Sequence, residues 1–308
     1  MAKIPPTLIF DMNNLAFRVG WTFQDFEDKQ GRPTGVIWGC VKEILRYIKK
    51  FNPQFVICCF DHPSGSIYRR KVFPGYKKRD PSNVKQAEMR ERVHDQLERL
   101  PKVLRFLPVR CVQQKGEEGD DLMAHYATAK FIKGRKIIIT GDEDMLQLVN
   151  KKVRVYLTNK EMVISPKNFK DMIGCEPEHF VDVKCMAGDS SDKVPGIKGI
   201  GWKYGCSIVN NWGNLERALS CTGSEEMAVA EKNRIEKVRE EWSIIHRNRK
   251  LMDLASRKVK IKKSSLQVGH WNKIKFRKFC LRRGYKSILL NMGKYYKALE
   301  RLENRSGG

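Results

Sequence analysis

Short runs of apolar and β-branched residues alternate with amphipathic stretches through the first half of the chain. TLIFD (7–11), FVICCF (55–60), LPVRCV (107–112), KIIIT (136–140) and VRVYL (153–157) read as strands. Between the first two, Val36, Cys40, Ile44 and Ile48 recur at helical spacing while Lys42, Glu43, Arg46 and Lys49 take the opposite side. Residues 84–100 show a second amphipathic helix, and a third helical pattern follows Asp121 and runs to about residue 132. The alternation predicts an α/β domain with a mainly parallel central sheet flanked by helices. From about residue 166 the strand pattern fades, and a long polar helical stretch covers roughly 225–253. The expected division is an α/β domain over 1–185 and a helical region over 186–308.

In a parallel sheet, ligands gather beyond the carboxyl ends of the strands. Three of the predicted strands end there in acid: Asp11, Asp61, and the pair Asp142 and Asp144 in IIITGDED. A further block, KGEEGDDLMAHY, sets Glu118, Asp120 and Asp121 at the start of a helical pattern, where acids also cap exposed amides. MAGDSSDKVPGIKGIGWKYG adds Asp189 and Asp192 ahead of a glycine-rich loop. Like charges about 4 Å apart repel by about 4 kcal/mol at an effective dielectric of 20, so a cluster of these acids needs a cation. All-oxygen ligands suit Mg²⁺ or Mn²⁺ rather than zinc.

The surroundings of these acids are strongly basic. Sixty Lys and Arg against 35 Asp and Glu give a net charge of +25, which points to a polyanionic partner, nucleic acid ahead of an anionic membrane. Between 64 and 105, twelve basic residues face five acids in an insertion much longer than an ordinary strand–helix connection. It is expected to be a mobile basic gate for single-stranded nucleic acid, with Tyr68, Phe73 or Tyr76 stacking on bases. Residues 257–305 hold sixteen basic residues against two acids, interleaved with Trp271, Phe276, Phe279, Tyr285, Tyr295 and Tyr296. Those aromatics fit a hydrophobic core and direct nucleic-acid contact equally well.

Carboxylates, hard cations and a polyanionic substrate together suit phosphodiester hydrolysis, which needs no protein nucleophile. The six histidines are scattered and offer no acyl-transfer arrangement. Nine cysteines without a CxxC pair fit a reduced, cytoplasmic protein, and no apolar run approaches the roughly 20 residues of a transmembrane helix.

Five blocks, IFDMNNLAFR, CCFDHPSGSIYRRKVFPGYKKRD, GEEGDDLMA, ITGDEDMLQLV and MAGDSSDKVPGIKGIGWKYG, resemble in order the 5′-nuclease family of flap endonucleases and 5′→3′ exonucleases. The bacterial and phage branch is the most similar, in its stand-alone form without a polymerase region. The resemblance implies a monomeric two-metal nuclease acting on 5′ flaps, nicks and free 5′ ends of DNA, and on RNA annealed to DNA. It implies replication proteins such as a single-strand-binding protein as partners, and the host cytoplasm as its setting if phage-encoded. Asp61, Glu118, Asp120, Asp121 and Asp142 match carboxylates of the first metal region, Asp144, Asp189 and Asp192 those of the second, and Asp11 lies beside them. Lys77 and Arg79 match basic residues that handle the scissile phosphate at the base of a helical arch, with Arg69, Arg70, Tyr76 and Lys78 along the same segment as DNA contacts. Residues 194–212 match a helix–three-turn–helix in which Gly196, Lys198, Gly199, Gly201 and Lys203 hold the duplex backbone and main-chain oxygens hold K⁺. Lys193 stands where the family usually has Asn, and Gly119 where it often has Ala.

A non-catalytic branched-DNA-binding protein would keep the basic segments while tolerating loss of Asp142 and Asp144. Nucleotide binding through GIKGIG is disfavoured, because the glycine spacing and the absence of a preceding strand differ from the dinucleotide loop.

Overall fold

The computed structural model describes residues 4–78, 82–220 and 228–306. Its central sheet is built from β1 (Thr7–Asp11), β2 (Phe55–Phe60), β3 (Arg110–Gln113), β4 (Lys136–Thr140), β5 (Val153–Leu157) and β6 (Met162–Ile164). A two-stranded ribbon, β7 (Gly188–Asp189) and β8 (Val194–Pro195), stands apart, and β9 (Leu266–Val268) returns to the main sheet. The sheet order is β6-β5-β4-β1-β2-β3-β9, with β1 to β5 parallel and the two edge strands antiparallel. Four of the five expected strands match their sequence runs; the third begins later, at Arg110, after Pro108, which cannot donate to a ladder.

One face of the sheet is covered by α1 (Met12–Thr22), α2 (Gly35–Phe51) and the long α4 (Val84–Leu104), which follows the short α3 (Ile67–Val72). The other face carries α5 (Gly119–Thr128), the single turn α6 (Phe169–Ile173) and Phe180 at the start of α7 (Phe180–Ala187). A separate apolar cluster joins α7 to α8 (Trp202–Trp212), α9 (Leu215–Ser220), α10 (Val229–Glu240) and α11 (Trp242–Met252). The polar stretch expected as one helix is therefore two, broken at Glu241.

Two expectations change. The segment after Ser256 does not continue the helical region. It adds β9 to the sheet edge beside β3, then lays α12 (Lys273–Arg283), α13 (Lys286–Leu290) and α14 (Met292–Ser306) onto the face holding α1 and α2. Phe276, Phe279 and Tyr285 are buried there, and Trp271, Tyr295 and Tyr296 pack half-buried against them, so these aromatics serve the core. Second, the distal half of the basic insertion is not free. Met89, Val93, Leu97 and Leu100 of α4 are buried, and Gln96 Oε1 accepts from the Val36 backbone N–H at 3.0 Å, tying α4 to the start of α2.

Candidate active site

The acidic residues converge where the sequence placed them, beyond the carboxyl ends of β1, β2 and β4. Asp11, the last residue of β1, caps α1: its Oδ1 accepts from Asn14 N at 2.9 Å, and its Oδ2 accepts from Thr140 Oγ1 at 2.8 Å. The side chains after Asp11 lock the neighbouring loops. Asn13 Oδ1 accepts from the Asp61 N–H and Asn14 Oδ1 from the Gly141 N–H, each at 2.9 Å. Thr140 Oγ1 accepts from Asp142 N at 2.9 Å, and Asp142 Oδ1 accepts from Asp144 N at 2.8 Å. Asp61 Oδ1 takes the Gly119 N–H at 2.6 Å, and a Cβ on Gly119 would stand 2.9 Å from that oxygen. The glycine at this departure from the family pattern therefore leaves the Asp61 carboxylate room at its helix N-terminus.

Electrostatically the carboxylates fall into three groups. Among the described residues, no ion pair joins Asp11, Asp61, Asp120 or Asp142 to a Lys or Arg. Burial pushes Asp11 up to about 7 against its two hydrogen bonds, with the charges of Asp61 and Asp142 adding to the rise. Burial and then Asp144 lift Asp142 to about 6. Asp120 is raised well above the carboxylate range by burial and by Asp142, Asp11 and Asp61, which outweigh Lys77. Asp61 rises as well: although it reaches solvent, crowding by protein and the charges of Glu118 and Asp121 exceed what the Gly119 N–H and Lys77 return.

The second group is neutralised from within. Arg69 is buried, donating Nη2 to Asp121 Oδ1 at 2.7 Å, Nη1 to Glu118 Oε2 at 2.8 Å, and Nε to the Leu251 carbonyl at 2.8 Å. Arg257 reaches Asp121 Oδ2 at 3.1 Å and Glu117 at 2.6 Å. Burial alone would raise Asp121, but the two guanidinium groups hold it below the usual range. Asp121 also closes a capping box with Glu118 at the start of α5. The residue expected as a metal ligand is thus occupied by arginine, and Arg69, expected on DNA, has its whole fork spent inside the protein. Tyr76 is likewise buried rather than free to stack on a base: its hydroxyl donates to Glu118 Oε2 at 3.0 Å.

The third group comprises Asp144, Asp189 and Asp192, whose carboxylate oxygens come within 4.8 Å of one another. Against burial, the Lys184 ammonium first, and then hydrogen bonds from Ser191 and the Asp192 N–H, draw Asp189 down to about 2. Asp192 is raised by burial and then by Asp189 and Asp144, against Lys77. Lys77 stands between the groups, with its ammonium 3.4 Å from Glu118 and 3.9 Å from Asp192, and its N–H bonded to the Asp192 carbonyl. Its backbone is left-handed, φ 49°. Lys193 is left-handed too, φ 59°, which explains why Asn suits that position. Arg70 and Lys78 are exposed, and Arg79 lies outside the described residues.

The glycine-rich turn follows directly. Gly196 has no room for a side chain, since a Cβ would fall 2.3 Å from the Ala187 carbonyl carbon, and Gly199 has φ +86°. Ile197 and Ile200 are buried beneath the turn, while Lys198, Gly199, Gly201 and Lys203 are exposed above it. The Lys198 carbonyl accepts from Lys237 Nζ at 2.5 Å, so this main-chain oxygen of the turn faces an ammonium.

Residues 6–174 match the family model of the 5′-3′ exonuclease N-terminal resolvase-like domain, and residues 175–274 that of its C-terminal SAM fold. The chain belongs to the 5′-3′ exonuclease family. It is accordingly a nuclease, a hydrolase of phosphodiester bonds. It is 29% identical over 216 residues to a 5′-3′ exonuclease of Buchnera aphidicola from Schizaphis graminum, covering 70% of this chain and 73% of that one. The fold is shared with the T5 5′-exonuclease bearing divalent zinc, with a TM-score of 0.66 and 20% identity over 82% of this chain and 90% of that one. It is shared equally with the bacteriophage T5 flap endonuclease in complex with DNA and metal ions, with a TM-score of 0.65, 20% identity and the same coverage. The boundary between the two family models falls near residue 175, some ten residues before the one read from the sequence.

Sequence reasoning missed Asn13, Asn14 and Thr140, which sit inside the quoted blocks yet carry no charge. It also missed Lys184 and Arg257. Lys184 had one signal, a lone cation within FVDVKCMA, an otherwise largely apolar helical turn.

Proposed function

We propose that this chain is a magnesium-dependent 5′-nuclease cutting phosphodiester bonds near the single-strand/duplex junction of branched DNA. Its substrates are 5′ flaps, nicks, free 5′ ends and RNA–DNA primer duplexes in cytoplasmic replication and repair. The observation carrying this reading is the group of carboxylates at the strand ends that, among the described residues, makes no ion pair with a Lys or Arg and whose pKa values are raised by burial and by one another. Such a set fits a hard divalent ion, Mg²⁺ with Mn²⁺ as substitute, because an ion there would relieve the repulsion that burial makes costly. Asp11, Asp61, Asp120 and Asp142 would hold one ion, with Glu118 at its border, and Asp144, Asp189 and Asp192 a second. Bound there, the ions supply Lewis-acid neutralisation of the phosphate and activation of water.

The protein's own groups do the positioning. Lys77, pinned through its backbone to Asp192, presents a cation at the mouth of the acidic site where a phosphate oxygen can exchange for Glu118. Arg79, two residues on, supplies a second basic group in the same segment. Lys198 and Lys203, exposed on a turn whose glycines permit close approach of a backbone, hold duplex phosphates away from the cut. K⁺ at this turn would be held by main-chain oxygens other than the Lys198 carbonyl, which faces the Lys237 ammonium.

The test is product sizing from 5′-flap, gapped and RNA–DNA substrates with Mg²⁺, then with chelator, alongside Asp142→Asn. Cleavage is expected to fall by on the order of 10³-fold in the variant while flap binding persists. Full Mg²⁺-dependent turnover by Asp142→Asn would remove the reading.

A further inference from the structure

Lys184 lies in the last turn of α7 and is buried, with its side chain only 8% exposed. Its ammonium contacts Asp144 Oδ1 and stands 2.7 Å from Asp189 Oδ2. These are two of the three carboxylates in the group able to hold a metal ion. The cation therefore sits inside the second acidic group, on ligand oxygens, whereas Arg69 and Arg257 neutralise Asp121 and its neighbours from behind.

We infer that Lys184 is a place-holder for the second divalent ion, an internal cation that keeps Asp144, Asp189 and Asp192 assembled and must leave for that ion to bind. With the ammonium in place the group carries a net two negative charges; with it swung out, three carboxylates face the site, enough to neutralise a divalent ion. A lysine suits the role because its ammonium is a point charge on a flexible four-carbon stem, able to swing out without moving the helix that carries it. An arginine forked on two carboxylates would be harder to displace. Displacement makes second-ion uptake weak in the free protein and favours it when a polyanionic strand offers the departing ammonium phosphate oxygens. Metal occupancy and substrate binding are then coupled, each strengthening the other by the same factor.

The inference rests on the two-metal reading above. Its test is calorimetric titration of the metal-free protein with Mn²⁺, without substrate, for wild type, Lys184→Met and Lys184→Gln, with Asp189→Asn marking which binding step belongs to the second group. The expected result is a second step about tenfold or more tighter in the Lys184 variants, with the first step unchanged. A residue that merely supported the carboxylates would give the opposite sign, since its loss would loosen the site. Two steps in wild type with an unchanged or weakened second step in the variants overturns the inference and leaves the two-metal reading standing. No Mn²⁺ uptake by wild type overturns both. The glutamine variant keeps a hydrogen-bond donor without the charge and gives the reading if the methionine variant does not fold.

Discussion

Glu118 and Asp121 lie within a few residues of Asp120, yet the two sides of this acidic cluster are built on opposite principles. On one side, Arg69 and Arg257 reach in and neutralise the acids, and Asp121 ionises more readily than usual. On the other, Asp11, Asp61, Asp120 and Asp142 hold only hydrogen-bond donors or each other, and ionise with difficulty. The first arrangement is complete and needs nothing from solution. The second is unfinished until a cation arrives. Counting carboxylates treats all of them as ligands; asking which already have a partner separates scaffold from chemistry.

The comparison can be broken most forcefully at Arg69. Arg69→Met leaves Glu118 and Asp121 buried with less compensation, and the expected loss is about 3–5 kcal/mol of stability, read from chemical denaturation. A near-neutral result would show that these acids are not the scaffold half. The opposite sign is expected at Asp11. Its folded pKa of about 7 lies above the ordinary 3.8. The protonated form is thus favoured by folding, and this contribution is present below pH 3.8 and lost as pH rises through 7. Asp11→Asn should therefore stabilise the metal-free protein at pH 8 by on the order of 1–3 kcal/mol, the gain shrinking toward pH 4. Thermal melts across pH without divalent ions would check it, and a destabilised variant at pH 8 would contradict the strain assigned to this side. The smallest effect is expected at Lys193, where Lys193→Asn should add at most about 1 kcal/mol by relieving a left-handed backbone next to Asp192. A Tm unchanged or lowered would sever that link.

Much of this was legible in the sequence. Runs such as KIIIT and FVICCF end abruptly in acid, so strand and ligand position are written together, and the parallel sheet then fixes which ends converge. The division of labour among the acids was not legible. Arg69 and Arg257 come from segments 52 and 136 residues away from Asp121, and nothing local distinguishes an arginine that turns inward from one that awaits phosphate. The last strand was hidden for a related reason. LQV is three residues long in a basic stretch, too short to show a period, and it becomes a strand only because β3 offers an edge.

That last strand has a consequence for how the chain is made. The sheet begins at Thr7 and is sealed by residues 266–268, and the core of α1 and α2 is completed by Tyr285, whose hydroxyl meets that of Thr34 across 251 positions. Contacts so distant along the chain close late and slow folding. A nascent polypeptide emerging from the ribosome holds an open sheet edge beside β3 until residues 266–268 have been translated. Cutting the chain after Ser256 would recreate that half-made state permanently, so removing the basic segment cannot by itself report on DNA contact. Charge-removing substitutions on its exposed face, such as Lys278→Gln, leave the seal intact.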